Sequence, residues 1–131
     1  MFIDSNIFIH AYKTQGVAQT ACKNLLLRIL AGEINAHTSV LVLNEVHYFF
    51  LCEYGVERAN SIFRNILNYK NLEVLAIDKK ILEYVPGFTK DGLETSDAFH
   101  AASMQANGIS TVCSYDKGFD KVKGLKRQEP K

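Results

Sequence analysis

The sequence predicts an α/β protein, with a central parallel sheet of four to five strands sandwiched between helices in three layers. Three observations carry this. Short apolar runs alternate with segments of helical periodicity, the signature of a sheet layered with helices. Consecutive strands are separated by helices, which implies parallel pairing through right-handed crossovers. The 131 residues, 47% hydrophobic and 22% charged, suffice for one domain, 1–131, with one core.

The elements follow in order. MFID reads as a strand, and a short helix starts near Asn6. In VAQTACKNLLLRILAG, Ala18, Ala21, Cys22, Leu25 and Ile29 recur at helical spacing until Gly32 stops them. INAHT is a short candidate strand. SVLVLNEVHYFFLCEYG opens with Ser39 as N-cap and closes at Gly55. VERANSIFRNILN sets Val56, Ala59, Ile62, Phe63, Ile66 and Leu67 on one stripe, so these two helices form an antiparallel hairpin. LEVLAID is a strand, KKILEYV a short helix ended by Pro86, and GFTKDGLE a loop. Thr95 to Asn107 is helical, stopped by Gly108, and ISTVCSY is the last clear strand.

A net charge of +1 argues against adhesion to nucleic acid by bulk charge and leaves local patches to be examined. The greasiest stretch, VLVLNEVHYFFLC, is interrupted by Asn44 and Glu45, and no run reaches the roughly 18 to 20 apolar residues of a membrane span. The start of the chain has Asp4 and no basic lead, unlike a secretory signal. A cytoplasmic protein is the expectation. Cys22, Cys52 and Cys113 lack metal or redox spacing and read as reduced packing residues.

In parallel sheets, chemistry sits in the crevice outside the carboxyl ends of the strands. Asp4 follows MFI and Asp116 follows TVCSY, so two strands deliver an aspartate there. Asp4 is also the lone charged residue from Met1 to Tyr12, Glu45 from Ile34 to Cys52, and Asp97 from Thr95 to Tyr115. Burying an unpaired carboxylate costs several kcal/mol or shifts its pKa until it neutralises. No Lys or Arg shares these windows, so the expected compensation is a cation bound between the acids. Two carboxylates about 4 Å apart repel by roughly 4 kcal/mol at an effective dielectric near 20, and a divalent ion reverses that. Oxygen ligands select Mg²⁺ or Mn²⁺.

Each acid also has an ordinary reading. Asp4 suits an N-cap, Asp97 a first-turn position favoured by the helix dipole, and Asp116 a turn before Lys117 and Gly118. Glu45 would have to face solvent, yet Leu41, Tyr48, Phe49 and Cys52 share its helical face. All four coinciding by chance is far less probable than any one.

DSNIFI, NEV, SDAFHAA and SYDKGFD, in that order and over essentially the whole chain, resemble the four signatures of the PIN domain, the nuclease family that includes VapC-type toxins. By that resemblance Asp4, Glu45, Asp97 and Asp116 are the acidic metal-binding quartet, with Asn6 and Ser114 as polar supports. The implied activity is Mg²⁺- or Mn²⁺-dependent endoribonuclease cleavage leaving a 5′-phosphate and a 3′-hydroxyl, with one or two ions. Glu45 is read as a ligand or as the acceptor of the water's proton. The implied role is the toxin of a toxin/antitoxin pair, with an antitoxin as partner and a homodimer as assembly. The alternatives are a stand-alone RNA-processing nuclease and a non-catalytic PIN-like module for RNA or protein. Where many members carry a further acid two residues after the fourth, this chain has Gly118, which leaves a fifth acid only to Asp120. His100, at i+3 from Asp97, reads as a packed or supporting residue ahead of a ligand.

From Lys117 to Lys131 six basic residues face two acids, a local +4 that starts beside Asp116. Lys117, Lys121 and Lys123 are the candidate phosphate-binding residues, against the plain reading of a solvated tail. Tyr48, Phe49 and Phe50 are expected in packing or a dimer contact ahead of base stacking. An aspartyl-phosphate enzyme using Asp4 commonly wants a second acid where Asn6 stands. No GxGxxG or GxxxxGK[ST] supports a nucleotide-binding fold.

Overall fold

All five strands run the same way. The computed structural model describes residues 1–131. In chain order it comprises β1 (Phe2–Ile3), α1 (Ser5–Tyr12), α2 (Gln19–Leu30), β2 (Ala36–Ser39), α3 (Val40–Tyr54), α4 (Val56–Leu67), β3 (Leu72–Leu75), α5 (Lys79–Leu82), α6 (Val85–Lys90), α7 (Thr95–Ala106), β4 (Thr111–Cys113), a 3-10 segment (Lys117–Lys121) and β5 (Lys126–Gln128). The strand order is β3-β2-β1-β4-β5, every pair parallel. Steps from β1 to β2 to β3 move one way across the sheet, and the step from β3 to β4 crosses back past β1. Crossovers of one hand therefore put α1 to α4 on one face and α5 to α7 on the other, which gives the three layers.

This order places the topological switch between β1 and β4, where the crevice opens beyond their carboxyl ends. β1 is the central strand, and Phe2, Ile3, Val112 and Cys113 on this pair are all fully buried. The helices that leave β1 and β2 begin at that same edge, and α7, leading into β4, also begins there.

Local chemistry fixes the helix starts and stops. Asp4 caps α1 by accepting from the Ser5 N–H at 2.7 Å, Ser39 caps α3 by accepting from the Val42 N–H at 3.3 Å, and Asp78 caps α5. Gly55 joins α3 to α4 at a φ of 84°, a left-handed conformation that glycine adopts without strain. The apolar stripe of α4 buries Ala59, Ile62 and Ile66 against α3, as its periodicity requires.

Two expectations are corrected. The segment after Pro86 is not a loop: α6 contains Pro86 in its first turn, where the missing N–H has no helical acceptor to satisfy anyway. The basic tail, whose lysines stay exposed to solvent, is also more than an extension. It forms the 3-10 segment and β5, an edge strand paired to β4. KRQ carries no apolar alternation because an exposed edge strand is held by its backbone. Among the cysteines, Cys22 and Cys113 are buried as expected, and Cys52 is exposed on α3. Phe50 lies in the core and Phe49 packs partly against it, whereas Tyr48 stands out in solvent. No helix is long and apolar enough to cross a membrane.

Candidate metal centre

Asp4 sits one residue beyond β1 and is 3% exposed. Its backbone N–H still continues the sheet, donating to the Cys113 carbonyl at 3.2 Å, so the carboxylate is aimed by the β1–β4 pairing itself. Oδ1 accepts from the Ser5 N–H, and Oδ2 accepts from Ser114 Oγ at 2.6 Å and Asn6 Nδ2 at 2.8 Å. Asn6 Nδ2 also reaches Ser114 Oγ at 3.0 Å, its Oδ1 accepts from the Tyr115 N–H, and Ser114 Oγ accepts from the Asp116 N–H at 2.9 Å. Asn6 and Ser114, residues 108 apart in sequence, thus lock α1 and the turn after β4 around one carboxylate. Burial pushes the pKa of Asp4 above the ordinary carboxylate value, against the opposing pull of His100, Ser114 and the Ser5 amide.

Asp97 occupies the first turn of α7, half-buried at the same edge. Its carboxyl is pushed up to about 7, first by desolvation and then by the charges of Asp116 and Asp4. Asp116 caps the 3-10 segment through the Gly118 N–H at 2.7 Å and is exposed at the crevice mouth. A Cβ placed on Gly118 would lie 3.0 Å from Asp116 Oδ1 and 3.2 Å from Asp97 Oδ2, so both carboxylates converge on the space this glycine leaves open. Gly118→Ala should push them apart and weaken divalent-ion binding roughly tenfold without altering the far-UV circular dichroism; a calorimetric Mn²⁺ titration reads the change.

Glu45 projects from the second turn of α3. Its Oε2 lies 3.3 Å from His100 Nε2, and its buried Oε1 has no hydrogen-bond partner. Burial would raise the Glu45 pKa, but the hydrogen bond and charge of His100, with lesser help from the Ser96 and Ser5 hydroxyls, hold it below the ordinary value. Those hydroxyls are near without reaching hydrogen-bond geometry on Oε1. His100, 1% exposed on α7, is also 3.9 Å from Asp4 Oδ1. Burial disfavours its cation, yet Glu45, Asp4 and Asp97 together raise its pKa above the usual imidazole value.

The structure therefore gathers all four acids with Asn6 and Ser114. Compensation for Asp4 and Glu45 is available within the chain as well, because His100 lies within reach of both. Counting only Lys and Arg as cations hid that. Donor atoms of Asp4, Glu45 and His100 all fall within 4.8 Å of one another. With Asp97 and Asp116 beside them the donor set is oxygen-rich, which fits a hard divalent ion, and the Glu45 Oε1 is left without a hydrogen-bond partner.

Of the three lysines, Lys117 and Lys121 border a polar hollow shared with Asp97 and Asp116. Lys121 also donates to the Gly92 carbonyl at 3.3 Å. Lys123 lies apart, on another hollow beside Phe88 and Gln105. Asp120 does not join the acids, since it pairs with Arg127 at 3.0 Å. Arg127 in β5 was not a sequence candidate. Its Nη1 donates to the Ser114 carbonyl at 2.9 Å and so braces the turn that carries Ser114 and Asp116. No spacing signal marks that role, which arises from edge-strand pairing.

The PIN domain family matches residues 1–125. The chain is 27% identical over 129 residues to Ribonuclease VapC13 of Mycobacterium tuberculosis and, to the same extent, to a VapC ribonuclease of Mycobacterium bovis, covering 97% of this chain and 98% of each relative. In fold it is similar to VapBC2 of Rickettsia felis bound to a promoter DNA fragment, at a TM-score of 0.75 and 18% identity over 99% of this chain and 98% of the other. It is likewise similar to VapC20 of Mycobacterium tuberculosis, a sarcin-ricin-loop-cleaving toxin, at 0.73 and 18% over 88% and 89%.

Proposed function

The chain belongs to the PIN domain family, and from that premise we propose that it is a divalent-metal-dependent endoribonuclease, the toxin component of a toxin/antitoxin pair. The carrying observation is the meeting of four acids from four separate elements at the β1–β4 switch. Divalent-metal dependence is general among PIN nucleases, and the acidic cluster suits such an ion. Mg²⁺ or Mn²⁺ is the choice that all-carboxylate oxygen donors favour.

Asp4, Asp97 and Asp116 would hold the ion. When bound, it supplies acidification of the attacking water and charge neutralisation at the phosphate. Glu45 would serve as the proton acceptor for the attacking water through its free oxygen. Asn6 and Ser114 hold Asp4 in one rotamer. Lys117 and Lys121, at the rim beside Asp97 and Asp116, attract the phosphates that flank the cut. An antitoxin protein is the proposed partner by analogy with the VapBC relatives, and a homodimer the proposed assembly.

Purified protein incubated with total RNA and Mn²⁺ or Mg²⁺ should produce discrete fragments with 5′-phosphate and 3′-hydroxyl ends. Asp4→Asn should leave the RNA intact, and cleavage equal to wild type by that variant would end the assignment.

A further inference from the structure

We propose that His100 is a positioning residue for this centre: its Nε2–H fixes one oxygen of Glu45 and leaves the other free for the reaction or the ion. The inference rests on the nuclease reading above and adds to it a residue that acts through Glu45.

Three observations support it. The two ring nitrogens have unlike surroundings: Nε2 has acceptors at 3.3 Å on Glu45 and 3.9 Å on Asp4, whereas Nδ1 is buried without any partner. A ring hydrogen belongs where acceptors are, so Nε2 carries one whether the imidazole is neutral or charged. The ring is also fixed from behind, being 1% exposed and packed on Phe2 with centroids 5.7 Å apart, so it cannot follow Glu45 if that side chain turns away. Finally, Glu45 is carried by α3, which follows β2 and not β1 or β4. No other hydrogen bond of its carboxylate is formed, and Oε1 is buried and unpartnered. A long glutamate side chain tethered at Oε2 presents Oε1 in one direction only. Without the tether it has free rotamers, and presenting that oxygen then costs conformational entropy.

The neutral variants His100→Gln and His100→Leu separate this role from packing. Glutamine can return an N–H donor towards Glu45, and leucine cannot. In a calorimetric Mn²⁺ titration of the metal-stripped protein, His100→Leu should lose 10- to 100-fold in affinity and His100→Gln should recover most of it. The loss in cleavage should fall on kcat rather than KM, because the lysine rim is untouched. In a Glu45→Ala background neither His100 variant should lower Mn²⁺ affinity further. Should His100→Leu fail to fold, His100→Met, equally without a donor, takes its place, and a loss that adds in full to that of Glu45→Ala overturns the proposal. It is also overturned if folded His100→Leu binds Mn²⁺ like wild type, or if both variants lose equally and Mn²⁺ broadens the His100 ring resonances, which would make the ring a direct ligand. If wild type binds no Mn²⁺, or binds it as well after Asp97→Asn, the failure lies in the nuclease reading itself.

Discussion

Asp97→Asn should abolish divalent-ion-dependent RNA cleavage, by at least about a hundredfold, and at the same time stabilise the metal-free protein. The two effects share a cause. Asp97 stands near Asp116 and Asp4 in a half-buried position, and its carboxyl is pushed to about 7 from an ordinary 3.8. Across that window the folded chain holds a proton that the unfolded chain has released, so metal-free stability falls as pH rises from about 4 to about 7 and then levels. Asparagine removes the charge and with it the slope. Because the side chain is partly in water, screening reduces the gain to about 1–2 kcal/mol at pH 8. Urea unfolding in EDTA at pH 5 and pH 8 tests this: the variant should overtake wild type only at the higher pH. A variant that cleaves RNA normally, or that loses stability at pH 8, would contradict the placement of this charge.

The complementary result is expected on adding metal. An ion that binds only the folded chain stabilises it by about 2.7 kcal/mol at a hundred times its dissociation constant, which is roughly 10 °C in Tm for a chain of this length. The shift should be larger at pH 8 than at pH 5.5, since at the lower pH the ion must displace the proton held by Asp97. Asp4→Asn should remove most of it. A thermal scan with Mn²⁺ and with EDTA reads the outcome, and identical midpoints would mean that the acids do not bind the ion.

The parts of this centre that were legible in the sequence are those whose signal is local. Asp4 and Asp116 end apolar runs, and Asp97 and Glu45 are isolated charges in uncharged windows, so single-strand or single-helix patterning exposes each of them. Asn6 and Ser114 were reached through a resemblance and have their physical account in the bond between them. What was not legible depends on contacts between distant segments. His100 bonds Glu45 across 55 residues, and a histidine in an alanine-rich helix looks like packing until its partner is known. β5 has no hydrophobic pattern because it is held by backbone pairing and by the polar contacts of Arg127, and α6 begins where Pro86 suggested an end. Lys123 shares the charge of Lys117 and Lys121 but points to another hollow, a distinction that net charge along a tail cannot make.

The bracing of the Ser114 turn by β5 has a consequence for biosynthesis. Ser114 donates its N–H to the Gln128 carbonyl and accepts at its own carbonyl from Arg127, while its hydroxyl completes Asp4 near the start of the chain. A ribosome adding about 5 to 20 residues per second needs roughly 6 to 25 s to pass from Asp4 to Gln128. For most of that interval the first carboxylate lacks its serine, and to the end of it the strand that steadies that serine. On the proposed assignment of Asp4, a nascent chain is a latent nuclease while it is attached to the machinery that makes it, and competence arrives only when Ser114 and β5 reach Asp4.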